Sequence, residues 1–349
     1  MEKEPFESFN VARALVQPLL RVRPALYWAD FLFTMGVAWT TFFIAAAVAW
    51  HTWPVKITIT LISILAFFRG LIFIHEIAHV PLKDLPGFRW VWNAVCGMFF
   101  FMPDYTYAPH AFHHSVASFS TKDDPEYLPV AFQRPFEILS PYLVFPLVPL
   151  LLAFRFLVAG PLSLVIGGKF REWLLRYAST LKMNPQYEWK NISAANRRLA
   201  GFEDVACVAW WALFITVCYR IGGVGILAEA YFVMYGALVV NHFRSLARHR
   251  YINETGDKVS YEAQILDSVT IAGFSPLATL LMPVGLRYHS VHHMFPTLPY
   301  YSLGRAHQIL WTRLPERHIY RKTVVPSFLA AMRNFIRTVQ THEPQPVSV

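Results

Sequence analysis

The chain has 349 residues, of which 55% are hydrophobic and only 15% charged, and its mean hydropathy is +0.35. Such a composition is typical of an integral membrane protein and not of a soluble enzyme. The formal net charge of +9 has no nucleic-acid-binding module beside it, so we expect no nucleic-acid partner. We expect instead that basic cytoplasmic loops contact anionic membrane lipids.

Four apolar segments are long enough to cross a bilayer, and they are arranged as two hairpins. Residues 1–30 are polar and carry basic residues ahead of the first apolar segment, which predicts a cytosolic N-terminal segment. The first hairpin comprises residues 31–50 and 57–74, and the second comprises residues 205–219 and 224–240. Each hairpin returns the chain to the side from which it started. The segments that follow both hairpins are therefore expected on the cytoplasmic side.

Three further apolar segments are predicted to lie at the membrane surface or to re-enter it. Residues 91–102 and 269–284 are too short to span a bilayer as helices. Residues 138–168 are longer, but their several prolines and Arg155 predict a shallow hairpin or a pair of interfacial helices. The basic segment 169–198 is expected in the cytoplasm.

Eight of the fourteen histidines fall into three clusters with helical spacing. The clusters are His75 and His79, then His110, His113 and His114, and finally His289, His292 and His293. Spacings of three and four residues place the rings of a cluster on one helix face. A single pair is often a structural feature, but three clusters would leave many donors and acceptors to satisfy without a cation. Zinc sites use three or four protein ligands, so eight ring nitrogens favour two ions, and imidazole suits iron, copper and zinc alike.

The apolar segments and the histidine clusters together predict an all-α integral membrane protein with about four transmembrane helices in two hairpins. Interfacial or re-entrant helices and a cytosolic histidine-rich metal-binding cap complete it. We expect a single domain over residues 1–349, with a membrane and catalytic core at 31–303 and a basic cytosolic tail at 304–349.

The order and spacing of the clusters resemble the membrane fatty acid desaturase and hydroxylase superfamily, which is marked by one H-x(3 or 4)-H box and two H-x-x-H-H boxes. The resemblance covers nearly the whole chain. It implies two iron ions on the cytosolic face of a helical membrane domain, with no catalytic residue beyond the metal ligands. Family members commonly add a histidine after the last membrane helix, which makes His249 the ninth ligand and leaves His242 as a weaker candidate.

The resemblance also implies an oxidoreductase that uses dioxygen to desaturate the acyl chain of a lipid. Hydroxylation or ketolation of a lipid or terpenoid is the alternative, because those enzymes share the boxes. The reaction consumes two electrons, and the sequence contains no flavin or haem motif to supply them. Residues 223–228 match a dinucleotide fingerprint, but they lie inside a membrane hairpin with no strand before them and are not taken as a nicotinamide site. An external donor is therefore expected, such as a ferredoxin or a small haem protein with its reductase, docking on the basic cytoplasmic surface.

Two other classes of protein are considered. His75, Glu76 and His79 match the H-E-x-x-H motif of zinc metalloproteases, in which the glutamate is a general base, but that interpretation leaves the other two boxes without a role. A metal transporter would place its ligands along a path through the membrane, whereas these boxes cluster at one interface.

Overall fold

The computed structural model describes residues 4–128, 135–221 and 223–341 of the chain. These residues are mostly helical and contain almost no strand, which confirms the predicted all-α class. The α-helices are α1 (Glu4–Val16), α2 (Pro24–Ala47), α3 (Trp53–His79), α4 (Phe88–Trp92), α5 (His110–His113), α6 (Pro135–Leu139), α7 (Pro141–Val144), α8 (Val148–Phe154), α9 (Gly160–Ile166), α10 (Gly168–Ala178), α11 (Ala194–Ile221), α12 (Val224–Ser245), α13 (Tyr261–Asp267), α14 (Pro276–Leu281), α15 (His289–Met294), α16 (Tyr300–Arg313) and α17 (Phe328–Thr341). Two short strands, β1 (Thr270–Ile271) and β2 (Val324–Val325), pair in parallel.

The chain divides into two compact units, each of which is discontinuous in sequence. The membrane unit comprises Pro24–Ala111 and Leu139–Asn241. The histidine unit comprises Met1–Arg23, Phe112–Ile138 and His242–Val349.

Five helical stretches of the described residues are long and apolar enough to cross a membrane. They are Pro24–Ala47, Trp50–His79, Phe136–Ile166, Ala194–Ile221 and Val224–Ser245. Three of them contain the predicted spans 57–74, 205–219 and 224–240, and Pro24–Ala47 covers most of the predicted span 31–50. The predicted interfacial segments 91–102 and 269–284 form only short helices.

The additional stretch, Phe136–Ile166, covers nearly all of residues 138–168, which were expected to form a shallow hairpin or a pair of interfacial helices. It does not reverse as a hairpin would, and its placement at the membrane surface stays a prediction. Its prolines divide it into α6 to α9 without reversing the chain, and residues 155–159 adopt π-helical geometry. A proline removes one backbone donor and bends a helix, but its fixed φ angle remains compatible with the first turn of the next helix. Most of these prolines occupy such first-turn positions.

Charged side chains inside the apolar helices of the membrane unit are paired with one another. Arg69 of α3 lies 2.7 Å from Asp30 of α2. Lys56 of α3 lies 3.7 Å from Glu229 of α12, which also accepts a hydrogen bond of 2.7 Å from Thr60. Charges in a membrane interior are costly unless they are paired. These contacts fix α3 against α2 and α12, and thereby position the last turn of α3, which carries the first histidine box.

The histidine unit has its own hydrophobic core. The buried residues of that core come mainly from α1, α13, α15 and α16, and include Ile265, Val291, Leu303 and Leu310. Val291 lies within the third histidine box and is fully buried. The core therefore holds α15 in place from the side opposite to its histidines.

Candidate metal centre

Three of the predicted ligands meet in the membrane unit. His75 and His79 lie in the last turn of α3, and His110 begins α5. The Nε2 atoms of His79 and His110 are 2.8 Å apart, and the three ring centroids are separated by 4.8 to 4.9 Å. The ring of His110 also stacks on Tyr107 at 4.6 Å, which orients it toward α3.

Four others meet in the histidine unit, and we call them the four-histidine group: His113, His249, His289 and His293. One ring nitrogen from each lies within 4.8 Å of the others. Successive Nε2 atoms are 3.1 Å apart from His113 to His249, 3.0 Å from His249 to His289, and 3.1 Å from His289 to His293. Nitrogens about 2.1 Å from one ion would lie about 3.0 Å apart at a right angle and about 3.4 Å apart at the tetrahedral angle. The observed separations are short enough for one ion to contact all four ring nitrogens.

The histidines of the third box do not all point to the same place, although their spacing predicts a shared face. The ring centroids of His289 and His293 are 4.5 Å apart, whereas His292 lies 6.0 and 6.1 Å from them. Its Nε2 atom is instead 3.1 Å from that of His114. Residues four apart on a helix differ by about 40° in direction, but neighbours differ by about 100°. A box with this spacing therefore presents ligands in two directions.

Backbone hydrogen bonds of the segment 267–271 connect the loop that carries His249 with the start of the third box. Residue Val269 donates its backbone N–H to the carbonyl of Arg248 at 3.0 Å, and Arg250 donates to Asp267 at 2.8 Å. On the other side, Ile271 donates to the carbonyl of Arg287 at 2.7 Å. The segment 267–271 thus lies between the His249 loop and the start of α15, and brings both sets of ligands together.

Two buried aspartates determine which ring nitrogen faces the centre of the group. His113 donates its Nδ1–H to Asp124, and His249 donates its Nδ1–H to Asp267, each at 3.0 Å. The Nε2 atoms of both rings then carry lone pairs, and these face each other at 3.1 Å. Two acceptors cannot bond to each other, but a cation between them satisfies both. The donor set therefore fits a bound metal ion.

Burial favours the neutral imidazole at His249 and His289. It lowers the pKa of His249 to about 4, although the bond to Asp267 opposes the shift. Burial, followed by the nearby His293, lowers the pKa of His289 well below its ordinary value. The unfolded chain therefore binds more protons than the folded chain between pH 6.5 and about 4, so the free energy of unfolding falls as the pH drops through that range. Metal affinity falls in the same direction, because only neutral imidazole binds metal.

The sequence analysis predicted no role for Asp124 or Asp267. Asp124 lies in the polar loop that follows the second box, which was a weak signal, and nothing in the sequence around Asp267 indicates its function. The weaker candidate His242 hydrogen-bonds to the backbone of Ile138 and is not among the grouped histidines of the described residues.

Replacing Asp267 with asparagine is expected to lower metal affinity roughly 10 to 100-fold, because such partners orient a ligand and raise its basicity. Asp267 also accepts a hydrogen bond of 2.8 Å from Tyr127, so the same change loosens the loop after the second box. Metal retained after competition with a chelator measures the effect, and Asp257→Asn on the exposed loop is the control. Equal retention in both variants would show that Asp267 does not support the metal.

Residues 51–324 match the family described as fatty acid desaturase. The chain is also 32% identical to a ceramide hydroxylase from Caulobacter vibrioides over 331 residues, which are 94% of this chain and 93% of the relative. The family match includes all three histidine boxes and His249.

Proposed function

Because the chain belongs to the fatty acid desaturase family of membrane oxidoreductases, we propose that it hydroxylates a hydrocarbon chain of a ceramide-like lipid. The observation that carries the metal chemistry is the buried four-histidine group, in which Asp124 and Asp267 leave the Nε2 lone pairs of His113 and His249 facing each other. The choice of hydroxylation is supported by the similarity to a ceramide hydroxylase along nearly the whole length of both chains. One oxygen atom enters the lipid and the other leaves as water, which consumes two electrons and two protons.

Nine histidines are proposed to bind two iron ions, one of which is assigned to the four-histidine group. They are His75, His79, His110, His113, His114, His249, His289, His292 and His293. Iron, when bound, supplies the oxygen activation that no side chain can provide. Zinc has no redox chemistry and would not serve.

The protein's own part is to hold the ligands rigidly and to exclude water. Asp124 and Asp267 keep the Nδ1 protons of their histidines, so that the Nε2 atoms stay available. Arg248 binds Glu126 at 2.5 Å and also its carbonyl at 2.6 Å, which holds the Asp124 loop near His249. Because the four histidines are at most 3% exposed, the centre is shielded from bulk water.

Desaturation of the lipid chain is the second candidate, because the matched family is described as fatty acid desaturase. Both reactions begin with removal of hydrogen from one carbon. Hydroxylation then delivers oxygen to that carbon, whereas desaturation removes hydrogen from its neighbour. A difference of about an ångström in substrate position decides between them.

Mass spectrometry of lipids from a host that expresses the protein and is supplied with ceramide separates the two reactions. Under heavy-isotope dioxygen, hydroxylation adds one labelled oxygen atom, whereas desaturation removes two hydrogen atoms and incorporates no label. We expect the labelled product, and we expect none from His289→Ala. A product that forms without dioxygen or without a reductant would contradict both candidates.

We further propose that residues 1–349 act as one desaturase-like domain with the histidine boxes facing the cytoplasm, which requires that the stretch Phe136–Ile166 lies at the membrane surface and does not cross the membrane. There a ferredoxin or a small haem protein with its reductase supplies the electrons. The basic segment 169–198 supports the cytoplasmic orientation, and the lack of a credible cofactor motif supports an external electron donor. Cysteines introduced at Ser115 and Thr297 should react with an impermeant maleimide only after the membrane is opened; the native cysteines are buried and give low background. Reaction in sealed cells would contradict the proposed orientation.

A further inference from the structure

A basic and aromatic pocket lies in the membrane unit, apart from the proposed metal ligands. It has a volume of about 800 Å³ and is formed by α10 and the segment 189–197. Its lining includes Lys169, Trp173, Arg176, Tyr177, Lys190 and Arg197. None of these residues is a proposed metal ligand, although all of them lie in the basic segment 169–198 that supports the proposed cytoplasmic orientation.

The position of the pocket along the chain places it at a membrane boundary. The candidate span Phe136–Ile166 ends just before α10 begins at Gly168, and the candidate span Ala194–Ile221 begins just after the lining residue Ile192. The walls of the pocket are therefore continuous with the ends of two membrane helices. Trp173 and Tyr177 are 54% and 37% exposed, and such aromatic side chains are enriched at the level of lipid headgroups.

The lining has an excess of positive charge. It contains four cationic side chains and a single carboxylate, that of Glu172. Arg197 pairs with Glu172, and Arg176 donates to Glu188 at 2.8 Å. Lys169 forms no ion pair or hydrogen bond with any residue that the structure describes. Basic pockets beside membrane helices attract anionic headgroups, and arginine and lysine bind phosphate by charge-assisted hydrogen bonds.

The walls of the pocket are held together by the backbone. Trp189 donates its backbone N–H to the carbonyl of Arg176 at 3.0 Å, and Lys182 donates to the carbonyl of Tyr187 at 2.7 Å. Arg197 donates from its Nε to the carbonyl of Ile192 at 3.1 Å. A pocket that is already formed loses little conformational freedom when a ligand binds.

We propose that this pocket binds the phosphate headgroup of an anionic phospholipid of the surrounding membrane. Lys169 and Lys190 contact the phosphate, while Trp173 and Tyr177 pack against the glycerol end of the acyl chains. The bound lipid is not the substrate, and the proposal holds whatever reaction the metal centre performs.

Native mass spectrometry of the full chain tests the proposal, using protein purified in a mixture of equal parts phosphatidylglycerol and phosphatidylcholine. Lys169→Gln combined with Lys190→Gln should lower the amount of retained phosphatidylglycerol roughly tenfold relative to the unmodified chain. The matched control combines Lys83→Gln with Lys258→Gln, which removes the same charge from exposed positions outside the pocket. Retention in the control should change by less than about twofold. Equal losses in both double variants would overturn the proposal, because they would reflect net charge alone.

The rate at which the Lys169 amine is acylated distinguishes a bound phospholipid from a free phosphate ion or a protein partner. In nanodiscs, phosphatidylglycerol should slow the labelling of Lys169, whereas phosphatidylcholine with added inorganic phosphate should not. Protection by inorganic phosphate alone would identify a free-anion site instead of a lipid site. Protection by an acidic ferredoxin, with none from phosphatidylglycerol, would show that a protein partner occupies this surface.

Discussion

Replacing His113 or His249 with alanine is expected to abolish product formation and to remove iron from the protein while it still inserts into the membrane. Each ring contributes one of the four Nε2 atoms that converge in the histidine unit, and each is anchored by its own aspartate. Removing a ligand leaves an incomplete centre and an aspartate without its histidine partner. The loss should therefore exceed the roughly 10 to 100-fold expected for removal of an orienting partner. Metal analysis of detergent-purified protein, together with product formation, measures both effects.

The control for these variants is His242→Ala. His242 precedes His249 by seven residues on the same part of the chain, but it hydrogen-bonds to the backbone of Ile138. Iron content should remain near two equivalents in this variant. Near-normal iron and activity in His113→Ala and His249→Ala would remove the four-histidine group from the mechanism, and stoichiometric zinc in an active, iron-free preparation would exclude the proposed cofactor.

Replacing Glu76 with glutamine is expected to lower activity only as far as it lowers iron affinity, roughly 10 to 100-fold. Glu76 is 3% exposed and accepts a hydrogen bond of 2.6 Å from the Tyr27 hydroxyl. Its other oxygen lies 3.6 Å from Nδ1 of His75. These contacts suit a carboxylate that ties α3 to α2 beside the ring of a proposed ligand. A metalloprotease base would instead take a proton from a metal-bound water.

Titration of activity with added iron distinguishes the two roles of Glu76. In the oxidoreductase, high iron should restore much of the activity of Glu76→Gln, and all activity should require dioxygen and a reductant. In a zinc peptidase, the variant would keep its metal and still lose turnover steeply. Glu316→Gln, at an exposed position, is the control. Activity that persists without dioxygen and without an electron donor would end the oxidoreductase assignment.

Some features of the candidate site could be predicted from the sequence because they depend on local spacing. The histidines of the three boxes recur at helical intervals, and the apolar segments are recognised by length alone. His249 was reached only through the family resemblance, and the structure brings it into the four-histidine group. The break-up of residues 138–168 into successive short helices was not predicted, since prolines indicate a bend but do not say whether the chain reverses.

The sequence by itself determined the membrane class and the histidines that could hold a metal ion, because composition and periodicity are properties of neighbouring residues. The family followed from the resemblance of the three histidine boxes to a known pattern. Only the tertiary structure decided which of those histidines lie together. His292 turns toward His114, away from His289 and His293. Asp124 and Asp267 fix the orientation of rings that lie 11 and 18 residues away in the chain. These contacts depend on the packing of loops and strands that are distant in sequence, and no local pattern encodes which side chains such packing brings together.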